Sequence, residues 1–266
     1  MIGEVSAMDL EMYLDKIKRN RFIPTPPDEK IFVGGSIVDF RQVGIDTLRS
    51  LIMFGHVTPT SKILEIGSGI GRVALPLTQW LGDEGRYVGT DIVKHGVEWC
   101  NENISSRYEN FQFLHMDIYN EYYNPLGRER VEDLPLPPKY FDVAVFNSVF
   151  THLTADDTET YIKLVRKHLV DSGILWGSWF LMDDESRRLV HDGKSSLKFI
   201  LDDGKRKTFH LDKKGKSTAA VAYDFNYIKE LFAANGFSIE KLDKGKWCER
   251  SIEYGGYQDL IVGKLT

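Results

Sequence analysis

The chain has 266 residues, of which 42% are hydrophobic and 12% aromatic, enough to bury the core of one large domain. Its formal net charge of -5 argues against a surface devoted to nucleic acid, because neutralising phosphates requires clustered lysine and arginine. The sequence has no apolar run of membrane-spanning length and no basic segment leading into an apolar one at its start, so we expect a cytoplasmic protein without a membrane partner.

Residues 1–45 are predicted to form an N-terminal cap segment ahead of the main fold. Apolar residues recur at helical spacing over residues 8–20, with Asp9 available as a cap, and the prolines within residues 24–27 then favour an extended linker. This first helix is expected to pack on the core, and the alternatives are that it closes over the active site or joins a homodimer. A further helix is predicted over residues 43–54.

A strand, a tight turn and a helix are predicted around residues 62–77. A short apolar run ends at Ile66, and a helical apolar pattern extends from Val73 to Leu81, interrupted by Pro76. The turn between them contains Gly67, Gly69 and Gly71. Glycines remove the Cβ atoms that would keep a ligand away from the backbone, and they permit positive φ. Such a turn can hold a ligand at the start of a helix.

The next two predicted strands each end in a carboxylate. The strand over residues 86–91 ends at Asp91, which lies 20 residues beyond Gly71. In nucleotide-binding α/β folds this position meets the ribose hydroxyls. A helix follows, and the strand over residues 111–116 then delivers Asp117 at its end.

The second half of the chain is predicted to continue the alternation of strands and helices. The predicted elements are a loop at 119–140, a strand at 143–146, a helix at 157–169, a strand at 174–180, a helix capped by Asp224, and strands at 237–242 and 257–264. Residues 183–222 are rich in charge and contain two short alternating stretches, which predicts an inserted hairpin or lid. Charge runs usually mark solvated faces, and the alternative is that Lys205, Arg206 and Lys207 bind a phosphate-bearing acceptor.

Four motifs occur along the chain in a fixed order. They are Glu-Ile-Gly-Ser-Gly-Ile-Gly at 65–71, Asp91, Met-Asp-Ile at 116–118, and Phe-Asp-Val-Ala-Val-Phe-Asn-Ser-Val-Phe-Thr-His-Leu at 141–153. Together they resemble the class I S-adenosylmethionine-dependent methyltransferases, and Ser-Val-Phe-Thr-His-Leu resembles a bacterial subgroup with small-molecule or sugar acceptors. The resemblance implies one methyltransferase domain over residues 1–266. Its fold would be a Rossmann-like three-layer α/β sandwich with a seven-stranded, mostly parallel sheet whose last strand is antiparallel.

The resemblance implies S-adenosyl-L-methionine as the cofactor. The residues it implies for binding are Glu65, Gly67, Ser68, Gly69, Gly71, Arg72, Asp91, Ile92, Asp117, Ile118, Asn147 and Ser148. Backbone N–H groups near Gly67 and Gly69 would approach the methionine moiety, and Asp91 would accept both ribose hydroxyls. Asp117 would accept the adenine amino group, with Ile118 as an apolar wall. Glu65 is expected to order the glycine turn by accepting backbone hydrogen bonds.

His152 is the candidate general base for a small-molecule acceptor, with an oxygen nucleophile favoured over nitrogen. It follows the fourth strand, and imidazole titrates near neutral pH; its alternative role is to fix the loop through backbone hydrogen bonds. The fourth strand lacks the Asn-Pro-Pro-Phe type of ending found in enzymes that methylate nucleic-acid bases. Cys100 and Cys248 lie far apart, the histidines show no short ligand pairing, and no acidic cluster follows Asn147, so no metal is expected.

Two other functions remain as alternatives. A nicotinamide-dependent oxidoreductase can use the same fold, but none of the 12 tyrosines is followed four residues later by lysine, as short-chain dehydrogenases would require. The glycine spacing after Glu65 also fits the methyltransferase pattern better than Gly-x-Gly-x-x-Gly. The second alternative is a non-catalytic module that has kept cofactor binding, although the intact Asp91, Asp117 and residues 148–153 favour activity.

Overall fold

The structure is a computed structural model that describes residues 7–34, 37–121, 123–128, 133–201, 206–211, 219–252 and 255–266. Lys205, a candidate phosphate-binding residue, lies outside these ranges. Contacts between Cα atoms divide the chain into two units, Met1–Met116 and Asp117–Thr266. None of the helices in the described ranges combines the length and the apolar character needed to cross a bilayer.

The described residues of the first unit form four α-helices and three parallel strands. They are α1 (Ala7–Arg19), α2 (Ile37–Met53), β1 (Lys62–Ile66), α3 (Ala74–Leu77), β2 (Arg86–Asp91), α4 (Lys94–Cys100) and β3 (Phe111–His115). A 3-10 turn at Asp28–Lys30 lies between α1 and α2, and a π-helical turn at Asn101–Ser105 extends α4. β2 pairs in parallel with both β1 and β3.

The helix after the glycine turn is shorter than its apolar pattern indicated. α3 has only 4 residues, all buried, although the pattern extended to Leu81. Pro76 lies within it and has no N–H to donate, and Gln79 N bonds to the Pro76 carbonyl oxygen at 3.1 Å in place of a regular helical partner. α2 approaches this segment closely at Gly44, where an added Cβ would lie 2.5 Å from the carbonyl oxygen of Arg72. The chain therefore leaves the turn as a short, tightly packed helical turn.

In the parts of the second unit that the structure describes there are three α-helices and seven strands. They are β4 (Phe141–Phe146), α5 (Ala155–His168), β5 (Leu169–Trp179), β6 (Leu181–Met182), α6 (Asp184–His191), β7 (Thr208–His210), β8 (Val221–Asp224), α7 (Phe225–Ala234), β9 (Phe237–Asp243) and β10 (Asp259–Leu265). A 3-10 turn, Phe150–His152, follows β4. Asp224 caps α7 as predicted, because its side chain accepts the backbone N–H of Tyr227 at 3.0 Å.

The larger sheet has seven strands in the order β3-β2-β1-β4-β5-β10-β9. β4 pairs in parallel with β5, whereas β10 is antiparallel to both β5 and β9. The predicted α/β fold with an antiparallel last strand is thus confirmed.

Residues 183–222 form more than the predicted hairpin. α6 lies in this segment, and β7 pairs antiparallel with β8 in a three-stranded sheet of order β6-β8-β7. The alternating stretch around Leu197–Leu201 makes only an isolated bridge between Phe199 and Leu211. This region shares an apolar cluster with residues from elsewhere in the second unit: Phe180, Met182, Leu189, Phe199, Phe209, Ala220, Ala222, Trp247 and Cys248. A lid function for the segment stays a prediction.

A buried ion pair fixes the start of β10. The side chains of Arg250 and Asp259 are both 0% exposed, and Arg250 Nη1 lies 2.7 Å from Asp259 Oδ1. Asp259 also accepts hydrogen bonds from the backbone N–H of Leu181 at 2.7 Å and of Gly245 at 2.8 Å, and from the indole of Trp247 at 2.7 Å. The carboxylate therefore ties β10 to β6 and to the loop that precedes it.

Candidate active site

The glycine turn adopts the left-handed backbone conformation that its composition predicted. Gly67, Gly69 and Gly71 have φ values of 75, 57 and 82°. The N–H of Gly67 donates to the carbonyl oxygen of Thr90 at 2.7 Å, and that of Gly71 donates to Ser68 at 3.0 Å. The Gly67 bond holds the start of the turn against β2, and the Gly71 bond closes the turn on itself.

Asp91 joins the end of β2 to the glycine turn. Its side chain is buried, and Oδ2 accepts the N–H of Gly69 at 2.6 Å while Oδ1 accepts that of Val93 at 2.7 Å. Burial raises the pKa of Asp91, although these two backbone hydrogen bonds oppose the rise. Each carboxylate oxygen has a second lone pair, so Asp91 can accept further hydrogen bonds.

Glu65 is buried beneath the turn, and its partner is a side chain of β2. The hydroxyl of Tyr87 donates to Glu65 Oε2, whereas backbone partners had been expected. Burial raises the pKa of Glu65 to about 8, and the charge of Asp91 adds to the rise, while the Tyr87 hydrogen bond and the charge of Arg72 oppose it. Near neutral pH the Glu65 carboxyl is therefore mostly protonated.

Ser68 and Arg72 point to different parts of the first unit. Ser68 Oγ is buried and has no hydrogen-bond partner among the described residues; an added Cβ on Gly89 would lie 2.7 Å from Ser68 Cβ. The Ser68 side chain therefore packs on β2. Arg72 Nη1 donates to the carbonyl oxygen of Gly34 at 3.1 Å, and Ile92 follows Asp91 as a half-buried residue.

The N-terminal segment lies directly on the glycine turn. An added Cβ on Gly69 would lie 2.7 Å from Val33 Cγ1, and one on Gly96 would lie 2.9 Å from the ring of Phe32. The Phe32 ring also meets the His95 ring edge-on, with centroids 5.0 Å apart. Val33 therefore covers the turn at its second glycine, and Phe32 packs on the start of α4.

Ser148 forms a polar cluster at the carboxyl end of β4. Its backbone N–H donates to Ser178 Oγ at 2.7 Å, and its hydroxyl donates to Gln258 Oε1 at 3.0 Å. Ser178 Oγ donates to the same Gln258 oxygen at 2.6 Å. Ser148 has a φ of 63°, which is rare for a residue with a side chain. Asn147 precedes it and is half-buried.

His152 ends the 3-10 turn after β4 and is half-buried. Its ring and the Tyr123 ring are perpendicular, with their centroids 5.4 Å apart. The hydroxyl of Tyr223, on β8, donates to the carbonyl oxygen of Leu153 at 2.7 Å and lies 2.7 Å from Thr158 Oγ1 on α5. The backbone next to His152 is thus anchored to both β8 and α5.

Asp117 and Ile118 begin a loop that closes on itself. Arg128 Nε lies 3.4 Å from Asp117 Oδ2, and Asn124 Nδ2 donates to Asp117 Oδ1 at 3.4 Å and to the carbonyl oxygen of Ile118 at 3.0 Å. The Asp117 side chain is 49% exposed, so these contacts leave it accessible to a ligand. Tyr119 is also exposed.

A comparison with protein families matches residues 63–173 to the family described as a methyltransferase domain. The match covers 111 of the 266 residues of the chain. The matched range begins in β1 and ends within β5, and it includes the glycine turn, Asp91, Asp117 and His152. The enzyme class predicted from the sequence is confirmed.

Solved structures share the fold at low sequence identity. A protein from Pyrococcus horikoshii OT3 matches with a TM-score of 0.57 and 21% identity, over 85% of this chain and 91% of its own. Magnesium protoporphyrin IX methyltransferase from Synechocystis PCC 6803 matches with a TM-score of 0.53 and 15% identity, over 98% and 96%. The 1,6-didemethyltoxoflavin-N1-methyltransferase from Burkholderia thailandensis matches with a TM-score of 0.51 and 16% identity, over 86% and 85%. These similarities concern the fold.

Within each unit of the methyltransferase, the structure groups some of the predicted residues. In the first unit, Asp91 accepts the N–H of Gly69 directly, and it lies close enough for its charge to raise the pKa of Glu65. In the second unit, Ser148 and His152 lie on one connection, where the hydroxyl of Thr151 donates to the Ser148 carbonyl oxygen at 3.1 Å. Asp117 and Ile118 lie together in the loop after β3.

Sequence reasoning missed Val33, Ser178, Gln258 and Tyr223. Ser178 offered a signal, since it is a lone hydroxyl in the apolar run of β5 that faces the sheet edge where ligands bind in such folds. The other three act through contacts with residues far away in the sequence, and no local pattern marks them.

Proposed function

We propose that this methyltransferase transfers a methyl group from S-adenosylmethionine to a hydroxyl of a small molecule, without a metal ion. The observation that carries the proposal is the buried Asp91 carboxylate, 2.6 Å from the N–H of Gly69 in a turn with three left-handed glycines. The relatives from Synechocystis and Burkholderia, both solved with S-adenosylhomocysteine, support the cofactor. The net charge of -5 supports a small-molecule acceptor over nucleic acid.

The residues of the first unit fit an adenosyl group. A buried carboxylate with spare lone pairs suits two adjacent ribose hydroxyls, and the Cβ-free turn allows close approach of the methionine end. We assign the ribose to Asp91 and the methionine to the backbone near Gly67 and Gly69. Asp117, accessible in its loop, would accept the adenine amino group, and Asn147 with Ser148 would border the methionine end.

The proposed chemistry makes modest demands on the protein. When bound, the cofactor supplies a methyl group on a sulfonium, whose leaving group departs neutral and needs no acid. The chain must then orient the acceptor, exclude water and remove one proton. We assign the removal of this proton to His152, since imidazole is a base near neutral pH. The hydrogen bond from Tyr223 to the Leu153 carbonyl oxygen holds the backbone next to His152.

Calorimetric titration tests the cofactor assignment. S-adenosylmethionine and S-adenosylhomocysteine are titrated into the purified protein, with NAD(H) and NADP(H) as controls. Selective binding of S-adenosylmethionine and S-adenosylhomocysteine is expected, with loss in Asp91→Ala and no loss in Asp83→Ala, a matched exposed aspartate of the same unit. Binding of a nicotinamide cofactor instead would favour the oxidoreductase alternative. Equal loss of cofactor and acceptor affinity in Asp91→Ala would contradict the ribose role.

The acceptor atom requires a separate experiment. Candidate alcohols, phenols and amines are incubated with the cofactor, and products are detected by mass spectrometry as a methyl increment. His152→Gln is expected to lower turnover of a hydroxyl acceptor strongly while cofactor affinity stays the same. N-methylation is the alternative, favoured by the Burkholderia relative, which is named as an N1-methyltransferase. Cofactor binding without any turnover would favour the non-catalytic module.

We also propose that the protein forms a homodimer through α1 and that it is located in the cytoplasm. The side chains of Met12 and Tyr13 on α1 are 57% and 38% exposed, which supports an association face. Light scattering of the protein and of Met12→Lys tests this face. A monomeric mass for both would contradict the dimer.

A further inference from the structure

The side-chain amide of Gln258 has one satisfied end and one open end. Its oxygen accepts hydrogen bonds from the hydroxyls of Ser148 at 3.0 Å and of Ser178 at 2.6 Å, which uses both of its lone pairs. Its nitrogen carries two N–H groups, and neither has a partner among the residues that the structure describes. Gln258 is half-buried and its nitrogen keeps accessible surface, so both N–H groups can meet a ligand.

The two serines determine which end of the Gln258 amide faces them. Ser178 Oγ already accepts the backbone N–H of Ser148 at 2.7 Å, so the hydrogen of the Ser178 hydroxyl needs an acceptor of its own. The oxygen of Gln258 is such an acceptor, whereas the amide nitrogen can only donate. The two free N–H groups of Gln258 therefore point away from the serines.

The main chain on both sides of Gln258 is held in place. The backbone N–H of Trp247 donates to the carbonyl oxygen of Tyr257 at 2.9 Å, and an added Cβ on Gly245 would lie only 2.4 Å from that oxygen. On the other side, the buried carboxylate of Asp259 accepts the N–H of Gly245 at 2.8 Å. The open amide thus has a defined position before a ligand binds, which lowers the entropic cost of binding.

The same polar cluster lies at the edge of the sheet where we expect the acceptor. Ser148 lies two residues beyond β4 and Ser178 is the last residue but one of β5, and ligands of open α/β sheets bind beyond such carboxyl ends. Ser148 also begins the connection that carries His152, and the hydroxyl of Thr151 donates to its carbonyl oxygen at 3.1 Å. The open amide of Gln258 therefore adjoins the segment that carries the proposed base.

We propose that the amide of Gln258 binds a carbonyl oxygen of the methyl acceptor and so selects hydroxy-carbonyl compounds. The inference rests on the proposed hydroxyl methylation, in which His152 takes the proton of the reacting hydroxyl while Gln258 holds the second oxygen. An amide N–H donates without charge, which suits a neutral carbonyl oxygen. Carboxylates and phosphates are bound more strongly by charged donors, and an amine would bring further donors to a place that needs an acceptor.

Calorimetry with three phenols that share one carbon skeleton tests the proposal. The full-length protein is saturated with S-adenosylhomocysteine, and 3′-hydroxyacetophenone, 3-ethylphenol and 3-(1-aminoethyl)phenol are then titrated. The ketone is expected to bind about three- to tenfold more tightly than ethylphenol, which is the gain from one neutral hydrogen bond. The amine is expected to bind no more tightly than ethylphenol. Equal affinities of the ketone and ethylphenol, or no binding of the ketone, would overturn the proposal.

A pair of matched variants locates the contact. Gln258→Glu keeps an oxygen that accepts from both serines and replaces the NH2 group by a second carboxylate oxygen. The preference for the ketone is expected to disappear, and the amine is expected to bind more tightly than ethylphenol. Gln112→Glu makes the same change at an exposed glutamine of β3 and is expected to keep the wild-type preference. A preference for the ketone that persists in Gln258→Glu would overturn the proposal.

Titration of S-adenosylhomocysteine alone separates this proposal from the proposed function. The wild type and Gln258→Glu are expected to bind it equally. A loss in Gln258→Glu would assign the amide to the cofactor and overturn its role in acceptor binding, whereas no binding to the wild type would contradict the proposed function itself and this assignment with it. Circular dichroism confirms that each variant is folded. If Gln258→Glu does not fold, Gln258→Met replaces it and is expected to abolish the ketone preference without favouring the amine.

Discussion

The hydroxyl of Ser148 donates to the side-chain oxygen of Gln258 at 3.0 Å, although 110 residues separate them. Ser178 on β5 completes the arrangement by accepting the N–H of Ser148 and donating to the same Gln258 oxygen. The end of β4 is therefore held by β5 and by the residue that precedes β10. In open α/β sheets ligands bind beyond the carboxyl ends of the strands, so this cluster fixes the backbone where we expect a ligand.

The backbone conformation of Ser148 predicts an unusual order of stability among its variants. Ser148→Gly and Ser148→Ala both remove the hydroxyl, but only alanine carries a Cβ at the φ of 63°. A left-handed conformation costs a residue with a Cβ about 1 to 2 kcal/mol. We therefore expect Ser148→Ala to be less stable than Ser148→Gly by about 1 kcal/mol in urea denaturation. Equal stability of the two variants would contradict a strained serine.

Gly69 and Val33 should be energetically coupled. Gly69→Ala places a Cβ 2.7 Å from Val33 Cγ1 and at a φ of 57°, so it should weaken folding through both contact and strain. Val33→Ala removes the contacting methyl and should restore the contact part of the loss. A double-mutant cycle is expected to give a favourable coupling on the order of 1 kcal/mol. Strictly additive effects would show that Val33 does not cover the turn.

Much of the strand framework could be predicted from the sequence because each buried strand is a short apolar run ending in polar or glycine residues. The predicted ends of β1, β2 and β4 agree with the structure. α3 could not be predicted with the same accuracy, because its apolar pattern continues to Leu81 while Pro76 interrupts its hydrogen bonding. The spacing of apolar residues indicates which side chains are buried, and in this segment buried residues continue to Leu81, beyond the end of α3.

The candidate site was predictable where motifs mark it and not where tertiary contacts build it. The Gly-x-Gly-x-Gly spacing and Asp91 carry a local signature, and the structure brings Asp91 to Gly69. Gln258 and Tyr223 have no such signature, because their partners lie 110 and 70 residues away. Glu65 illustrates an intermediate case, because it was expected to accept backbone hydrogen bonds from the turn, whereas in the structure the Tyr87 hydroxyl donates to it.

Tyr223 should influence the proposed chemistry through the position of His152. Tyr223→Phe removes the hydroxyl that holds the Leu153 carbonyl oxygen at 2.7 Å. We expect kcat to fall several-fold and the cofactor affinity to stay unchanged. Tyr227→Phe is the control, because the Tyr227 hydroxyl reaches the Ala155 carbonyl oxygen only at 3.5 Å. A similar loss of kcat in both variants would indicate a general loss of stability.

Because of Glu65, the free energy of unfolding of the protein should fall as the pH rises. Burial raises its pKa from 4.5 to about 8 in the folded state. Between these values the folded protein retains a proton that the unfolded chain has released, so the free energy of unfolding falls by about 1.4 kcal/mol per pH unit. This loss is complete once the pH exceeds the folded pKa. Glu65→Gln keeps the shape without the titrating group.

The experiment compares urea denaturation of the wild type and Glu65→Gln at several pH values from 5 to 8.5. The difference between their free energies of unfolding removes the effects of other titrating groups. We expect it to shift steadily in favour of the variant up to about pH 8, as the raised pKa of Glu65 in the folded protein requires. A difference that is constant with pH would show that Glu65 is ionised throughout.

The Arg250–Asp259 ion pair should be far more important for stability than a surface pair of similar geometry. Its N–O distance is 2.7 Å with both side chains 0% exposed, whereas Lys139 and Asp171 are 2.8 Å apart with side chains 69% and 84% exposed. Asp259→Asn removes the shortest ion pair of the buried Arg250 and leaves only Asp183 at 3.3 Å and Glu185 at 3.4 Å, so we expect a loss of up to about 3 to 5 kcal/mol, the usual range for breaking a buried pair. Asp171→Asn should cost less than about 1 kcal/mol, because water already solvates that pair. Urea denaturation measures both, and similar losses for the two variants would show that water reaches Arg250.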